Sequence, residues 1–192
     1  NAGRIRLVGN GGNHDVSAQD GNDQLEGGAG SDYLEGGAGG DRLNGGADDD
    51  DLYGGDGNDV LVASTGYDTI NGGAGIDYYD ASGLAVAAVI NLLSGRGQQG
   101  AGNVQFFDGI EFVIGTGLAD TIIGNGAGNT LDGRAGADSL RGVGGDDTYV
   151  VDDAGDVVSE LLNSADAGGQ DLVIASVNHV LVNYVEDLTL IG

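Results

Sequence analysis

Asp23, Asp32, Asp41, Asp50, Asp59, Asp68 and Asp77 follow one another at intervals of nine residues in a chain of 192. The period does not slip. Carboxylate oxygens at fixed spacing are hard ligands for a divalent cation, and paired carboxylates can also carry acid–base chemistry. An apolar residue stands two places after each Asp, in the series Leu25, Leu34, Leu43, Leu52, Leu61, Ile70 and Tyr79. Paired glycines recur at 27/28, 36/37, 45/46, 54/55 and 72/73. An anchor, a carboxylate and a flexible pair repeated in phase describe an array of like sites. Every Asp or Glu pair has the repeat as its simpler explanation, so no residue is assigned a catalytic role and the chain is read as a non-enzyme.

The elements that must position these carboxylates follow from the same ruler. Internal periodicity of this length is the mark of a solenoid, in which each repeat buries its apolar residue only against its neighbours. Paired glycines permit the positive φ angles of tight turns. What remains, such as the stretch from Asp32 to Leu34, is a strand of about three residues that needs stacking to persist. Stacked strands lie about 4.8 Å apart, so equivalent Asp residues are driven together. At about 5 Å each pair repels by roughly 0.8 kcal/mol in bulk water, and by more near a protein surface. A divalent cation between coils reverses that sign. Calcium suits the site best, because it accepts six to eight carboxylate and carbonyl oxygens in flexible geometry. Zinc would call for His or Cys, and the chain has two His and no Cys. Magnesium requires a tighter octahedron and keeps its water.

Composition narrows the partners further. There are 31 acidic residues against six basic ones, for a net charge of −25. Nucleic acid and anionic membrane are repelled by such a surface. No apolar run reaches the length of a membrane span, and no charged-then-apolar leader opens the chain. With 41 Gly, no Pro and 5% aromatic residues, any core is thin, and the strict Gly period of collagen is missing. The 12-residue EF-hand loop is missing as well, since the stretch DGNDQLEGG lacks its alternating ligands and closing Glu. Phosphate-binding loops are excluded by the absence of any Lys and by the sign of the charge.

The segments GGAGSDYLE, GGAGGDRLN and GGDGNDVLV resemble the nonapeptide GGxGxDxUx of the RTX (repeats-in-toxin, hemolysin-type calcium-binding) family. The resemblance covers residues 9 to 82 well and 115 to 151 more loosely. It implies an all-β fold: a right-handed parallel β-roll, or β-solenoid, with calcium-binding turns and irregular wider coils between and after the repeat blocks. Two nonapeptides then make one coil, and calcium sits between loops 18 residues apart. Carried onto this chain, one column is Asp23, Asp41, Asp59 and Asp77, and the other is Asp32, Asp50 and Asp68. Glycine carbonyls complete each turn, with Gly28, Gly30, Gly37, Gly39, Gly46, Gly55 and Gly57 as the candidates. Several ions are implied, about five or more. Three turns depart from the pattern. His14 occupies the Asp phase in GGNHDVS, Asp48 replaces a Gly in GGADDDDLY, and Ala63 and Ser64 replace the glycine pair in ASTGYDTIN.

Downstream, residues 83–114 read as connecting strands, with Val86, Ala88, Ile90 and Leu92 on one face. A helix is the competing reading of so Ala-rich a run, and the alternating β-branched residues between glycine turns favour the strand. Residues 115–151 form a second, less regular block. There the phase runs Glu111, Asp120, Asn129, Asp138 and Asp147, with Val113, Ile122, Leu131, Leu140 and Tyr149 as its apolar partners. Asp120, Asp138 and Asp147 are its candidate metal ligands. Residues 1–82 comprise a lead-in and the first block. Residues 152–192 are expected to continue or cap the solenoid with strands, His179 facing outward from one of them. The ending at Gly192 reads as a cut in a longer protein.

The resemblance further implies a secreted or cell-surface bacterial protein, exported by type I secretion and folding on calcium outside the cell. A structural, surface-layer or adhesive role is the first expectation. The alternative is an accessory module of a secreted epimerase, protease or lipase, or of an RTX toxin. Partners besides calcium would be other copies of the chain, a surface polysaccharide, or a host or matrix surface.

Overall fold

Alternation around each apolar position puts one side chain inward and its two neighbours outward, the period of a strand with one buried face. The computed structural model describes residues 3–100, 103–160 and 169–191 and contains only strands, turns and irregular segments among them. None of its segments is a helix long and apolar enough to cross a membrane. The chain divides into two units, residues 1–81 with 101–110, and residues 82–100 with 111–192.

The first unit is a parallel β-solenoid of two sheets. One sheet runs in the order Arg6–Val8, Gln24–Ala29, Arg42–Ala47, Val60–Val62 and Tyr78–Asp80. The other runs Asp15–Ser17, Tyr33–Ala38, Asp51–Asp56, Thr69–Ala74 and Asn103–Asp108. Register repeats every two nonapeptides: Leu25 lies against Leu43, Leu43 against Leu61 and Leu61 against Tyr79. In the second sheet Leu34, Leu52, Ile70 and Phe107 form the matching row. The apolar series from Leu25 to Tyr79 is fully buried. Tyr79 meets Phe107 edge-on with ring centroids 4.7 Å apart, which closes this row with aromatic volume.

Several strands are longer than the period suggests. Gln24–Ala29, Tyr33–Ala38, Arg42–Ala47, Asp51–Asp56 and Thr69–Ala74 each have six residues and continue through the glycine pair. Gly28 pairs with Gly46 and Ala29 with Ala47 within one ladder. The glycine pair is therefore part of the stacked wall, and the chain turns just after it. The second glycine of the pair is required by geometry. Gly46 has φ +111, and a Cβ on it would strike the carbonyl oxygen of Gly28.

The second unit is also a parallel β-solenoid, with one antiparallel departure among its described residues. Phe112–Ile114, Thr130–Asp132, Thr148–Val151, Leu172–Ala175 and Asp187–Leu190 follow one another in one sheet. The other contains Val157–Ser159, Ser139–Arg141, Thr121–Ile123 and Ala88–Asn91 in parallel register. Ala88–Asn91 also pairs antiparallel with Arg96–Gln99, a hairpin that the alternation of residues 86 to 92 did not reveal. Ala88, Ile90 and Leu92 are buried, while Val86 is exposed and precedes the strand. Val113, Ile122, Leu131, Leu140 and Tyr149 are fully buried in phase.

Beyond residue 152 the solenoid continues through Leu172–Ala175 and Asp187–Leu190. His179 lies in the irregular connection between these two strands, not on a strand as its apolar neighbours suggested. Residues 161–168 of the expected C-terminal continuation, and Gly192, lie outside the described residues.

Candidate metal centre

The nine-residue ruler places its carboxylates inside the walls. Asp23, Asp32, Asp41, Asp50, Asp59, Asp68 and Asp77 are all buried, none more than 3% exposed. Asp120, Asp138 and Asp147 in the second unit are equally buried. A solvated acidic surface would leave such side chains in water, so these positions do not serve solubility.

Each column is a ladder built one coil at a time. The N–H of Asp23 donates to Asp41 Oδ1 at 2.7 Å, that of Asp41 to Asp59 at 2.7 Å, and that of Asp59 to Asp77 at 2.8 Å. In the other column His14, Asp32 and Asp50 donate to Asp32, Asp50 and Asp68 at 2.7, 2.9 and 3.1 Å. His14 Nδ1 also lies 2.7 Å from Asp32 Oδ1, so the residue standing in the Asp phase caps this column. In the second unit Asp120 donates to Asp138 at 2.8 Å and Asp138 to Asp156 at 3.0 Å. Beside them Asn129 donates to Asp147 at 2.7 Å and Asp147 to Asp171 at 2.9 Å.

One carboxylate oxygen is thus consumed by the neighbouring coil, and the fate of the other divides the turns. Oδ2 of Asp23, Asp32, Asp41, Asp50, Asp59, Asp138 and Asp147 is buried without a hydrogen-bond partner. A buried carboxylate oxygen left so is costly, and a cation is the partner its charge requires. In three of the described turns the chain supplies the partner itself. Ser64 Oγ donates to Asp68 Oδ2 at 3.1 Å. Thr116 donates through its backbone N–H at 2.6 Å and its hydroxyl at 3.0 Å to Asp120 Oδ2. The N–H groups of Asp152 and Asp153 both reach Asp156 Oδ2 at 3.1 Å. Ser64 is one of the residues that replaces a glycine pair, and its hydroxyl is what that departure brings.

The first glycine of each pair lines this oxygen. A Cβ on Gly27 would collide with Asp32 Oδ2 and stand 2.7 Å from Gly45 O. On Gly36 it would collide with Asp41 Oδ2 and stand 2.7 Å from Gly54 O. A Cβ on Gly45 would meet Asp50 Oδ2, and on Gly54 it would meet Asp59 Oδ2 and Gly72 O. Carboxylate and carbonyl oxygens therefore converge at Gly27, Gly36 and Gly54, an all-oxygen donor set of the kind calcium takes. Gly28, Gly30, Gly37, Gly39, Gly46, Gly55 and Gly57 lie instead at positive φ, where coil stacks on coil. Asp48 takes the same conformation, φ 76, and its Oδ2 accepts the Gly30 N–H at 3.1 Å. An Asp tolerates this region better than most side chains.

The electrostatics agree with this geometry. Burial pushes Asp50 up to about 7 against the opposing Asp32 N–H bond, with the charges of Asp68, Asp32 and Asp48 adding to the rise. Burial likewise raises Asp59 to about 6, Asp138 to about 7 and Asp147 to about 8. Asp41, Asp68 and Asp77 are shifted upward for the same leading reason. The folded columns resist holding negative charge unless a positive one accompanies it.

Two carboxylates of the described ladders, Asp156 and Asp171, lie outside the candidate ligands read from the sequence. Asp156 stands 18 residues after Asp138 and continues the phase, a signal that was present to be read. Asp171 stands 24 residues after Asp147, off the ruler, and only the fold brings it into the column.

A family model described as the RTX calcium-binding nonapeptide repeat (four copies) matches residues 8–52, 53–83 and 114–149, more than half of the chain. No curated protein sequence matches it.

Proposed function

Because the chain belongs to the RTX calcium-binding nonapeptide repeat family, we propose that calcium binding at its aspartate columns drives folding after export, in a bacterial protein that acts outside the cell. The module itself binds calcium and is structural, not catalytic. The observation that carries the reading is the row of buried, unpartnered Oδ2 atoms facing glycine carbonyl oxygens.

In this reading, ions lie along Asp23, Asp41, Asp59 and Asp77 and along Asp32, Asp50 and Asp68. In the second unit the corresponding rows are Asp120, Asp138 and Asp156, and Asp147 with Asp171. Turns whose second oxygen has no protein donor bind most strongly. Without calcium, like charges and glycine entropy oppose the coils and the chain stays extended, a form suited to passage through a secretion channel. With calcium, binding energy becomes folding energy. RTX repeats are typical of secreted bacterial proteins, which supports an extracellular site of action. A chain of stiffened coils suits a spacer or contact surface in a surface layer or adhesin.

Isothermal titration calorimetry with calcium, and with magnesium as the control, tests the reading. Several calcium ions bound per chain with little response to magnesium is the expected result. A chain that binds neither ion overturns it.

A further inference from the structure

Resting on the calcium reading and extending it, we propose that the Asp147–Asp171 turn is a calcium site of different construction from the regular ones, with Glu160 as its third carboxylate and the hydroxyl of Tyr149 closing it. Glu160 and Asp171 lie outside the residues that match the nonapeptide family. One oxygen from each of the three carboxylates can be chosen so that all lie within 4.8 Å of one another. Asp147 is 1% exposed, and its Oδ2 has no hydrogen-bond partner.

The direction of that oxygen is fixed by Gly142. A Cβ placed there would run into both Asp147 Oδ2 and the Tyr149 hydroxyl. The two oxygens therefore share one side of the turn, and Tyr149 OH in turn bonds to Glu160 Oε1. Glu160 Oε2 accepts the N–H of Val143 at 3.1 Å. Val143 holds φ 93, a left-handed conformation that a β-branched residue adopts only under constraint. Asp171 joins through the Asp147 N–H, which donates to its Oδ1 at 2.9 Å. Its own N–H donates to Glu186 Oε2 at 3.0 Å, which fixes it from the other side.

An ordinary coil brings together two positions 18 residues apart. Here the spacing is 24, and the intervening chain contributes Glu160. Three carboxylates and a phenol make an all-oxygen site with more negative charge than the regular turns. That chemistry selects a hard cation of large radius, calcium or a trivalent lanthanide, over zinc.

The test counts calcium ions bound to the chain by native mass spectrometry and follows their affinities by titration, for the wild type, Glu160→Gln and Tyr149→Phe. Glu160→Gln is expected to hold one ion fewer, or to weaken one binding step by at least about tenfold, while the remaining steps persist. Terbium luminescence excited through tyrosine is expected to fall in Tyr149→Phe. If Glu160→Gln fails to fold, the terbium comparison decides: a reduced signal supports the site and an unchanged signal overturns it. A folded Glu160→Gln with the wild-type ion count and affinities also overturns it, leaving Glu160 as a hydrogen-bond partner of Tyr149 and Val143. A wild type that binds no calcium sinks the calcium reading as a whole, an outcome distinct from failure of this site alone.

Discussion

Asp59 Oδ1 accepts the backbone N–H of Asp41 at 2.7 Å, while its Oδ2 is buried with no hydrogen-bond partner. The first oxygen joins one coil to the next, and the second is the proposed cation ligand. The same division recurs at Asp41 and Asp50, so loss of one negative charge can be separated from loss of the ladder bond. Asp50→Asn retains an acceptor for the Asp32 N–H but not the charge. It is expected to weaken calcium binding by at least about tenfold, measured by calorimetry.

Asp68 provides the contrast within the same column. Ser64 already donates to its Oδ2, so Asp68→Asn is expected to reduce calcium affinity less than Asp50→Asn in the same titration. Ser64→Ala, which removes that donor, is expected to destabilise the folded chain by about 1–3 kcal/mol at calcium just sufficient to fold it and by less in saturating calcium. Denaturant unfolding at the two calcium concentrations measures the difference.

Gly45 and Asp48 make opposite predictions although both stand in glycine phase. A Cβ on Gly45 would strike the Asp50 carboxylate, so Gly45→Ala is expected to cost about 2–4 kcal/mol in calcium. Asp48 already holds φ 76, so Asp48→Gly is expected to be nearly neutral, losing one hydrogen bond and relieving a strained backbone. Thermal melts of the two variants in calcium check the pair.

Most of this fold was legible because the two signals that define it, the aspartate phase and the apolar phase, share one ruler. Leu25 through Tyr79 are buried as their spacing requires, and the two aspartate columns of the first unit fall as two interleaved sets. The hairpin of Ala88–Asn91 with Arg96–Gln99 was hidden, because alternation shows a buried face but not the direction of the neighbouring strand. Positive φ accounts for the second glycine of each pair. The first is glycine for space alone, a requirement visible only once the Asp five residues on folds back over it. Asp171 was out of reach for a similar reason, since its place in the column depends on a connection longer than the repeat.

Acidity should mimic part of the effect of calcium. The folded columns hold Asp59 near 6, Asp50 and Asp138 near 7 and Asp147 near 8, above their ordinary value of 3.8. The folded chain then binds more protons than the unfolded one between about pH 4 and 8, so metal-free stability is greatest at the acid end. It is lost as pH rises through the raised values. In chelator, β-structure followed by circular dichroism is expected to increase as pH falls from 8 toward 5, and saturating calcium is expected to flatten that dependence.

The most direct test of coupled folding is far-UV circular dichroism of the chain during a calcium titration at neutral pH, with magnesium and chelator controls. A cooperative change from coil to β-structure that calcium produces and magnesium does not is the predicted result. A chain already fully β-structured in chelator, with a spectrum unmoved by calcium, would contradict it, because the buried carboxylate columns would then hold together without the cation.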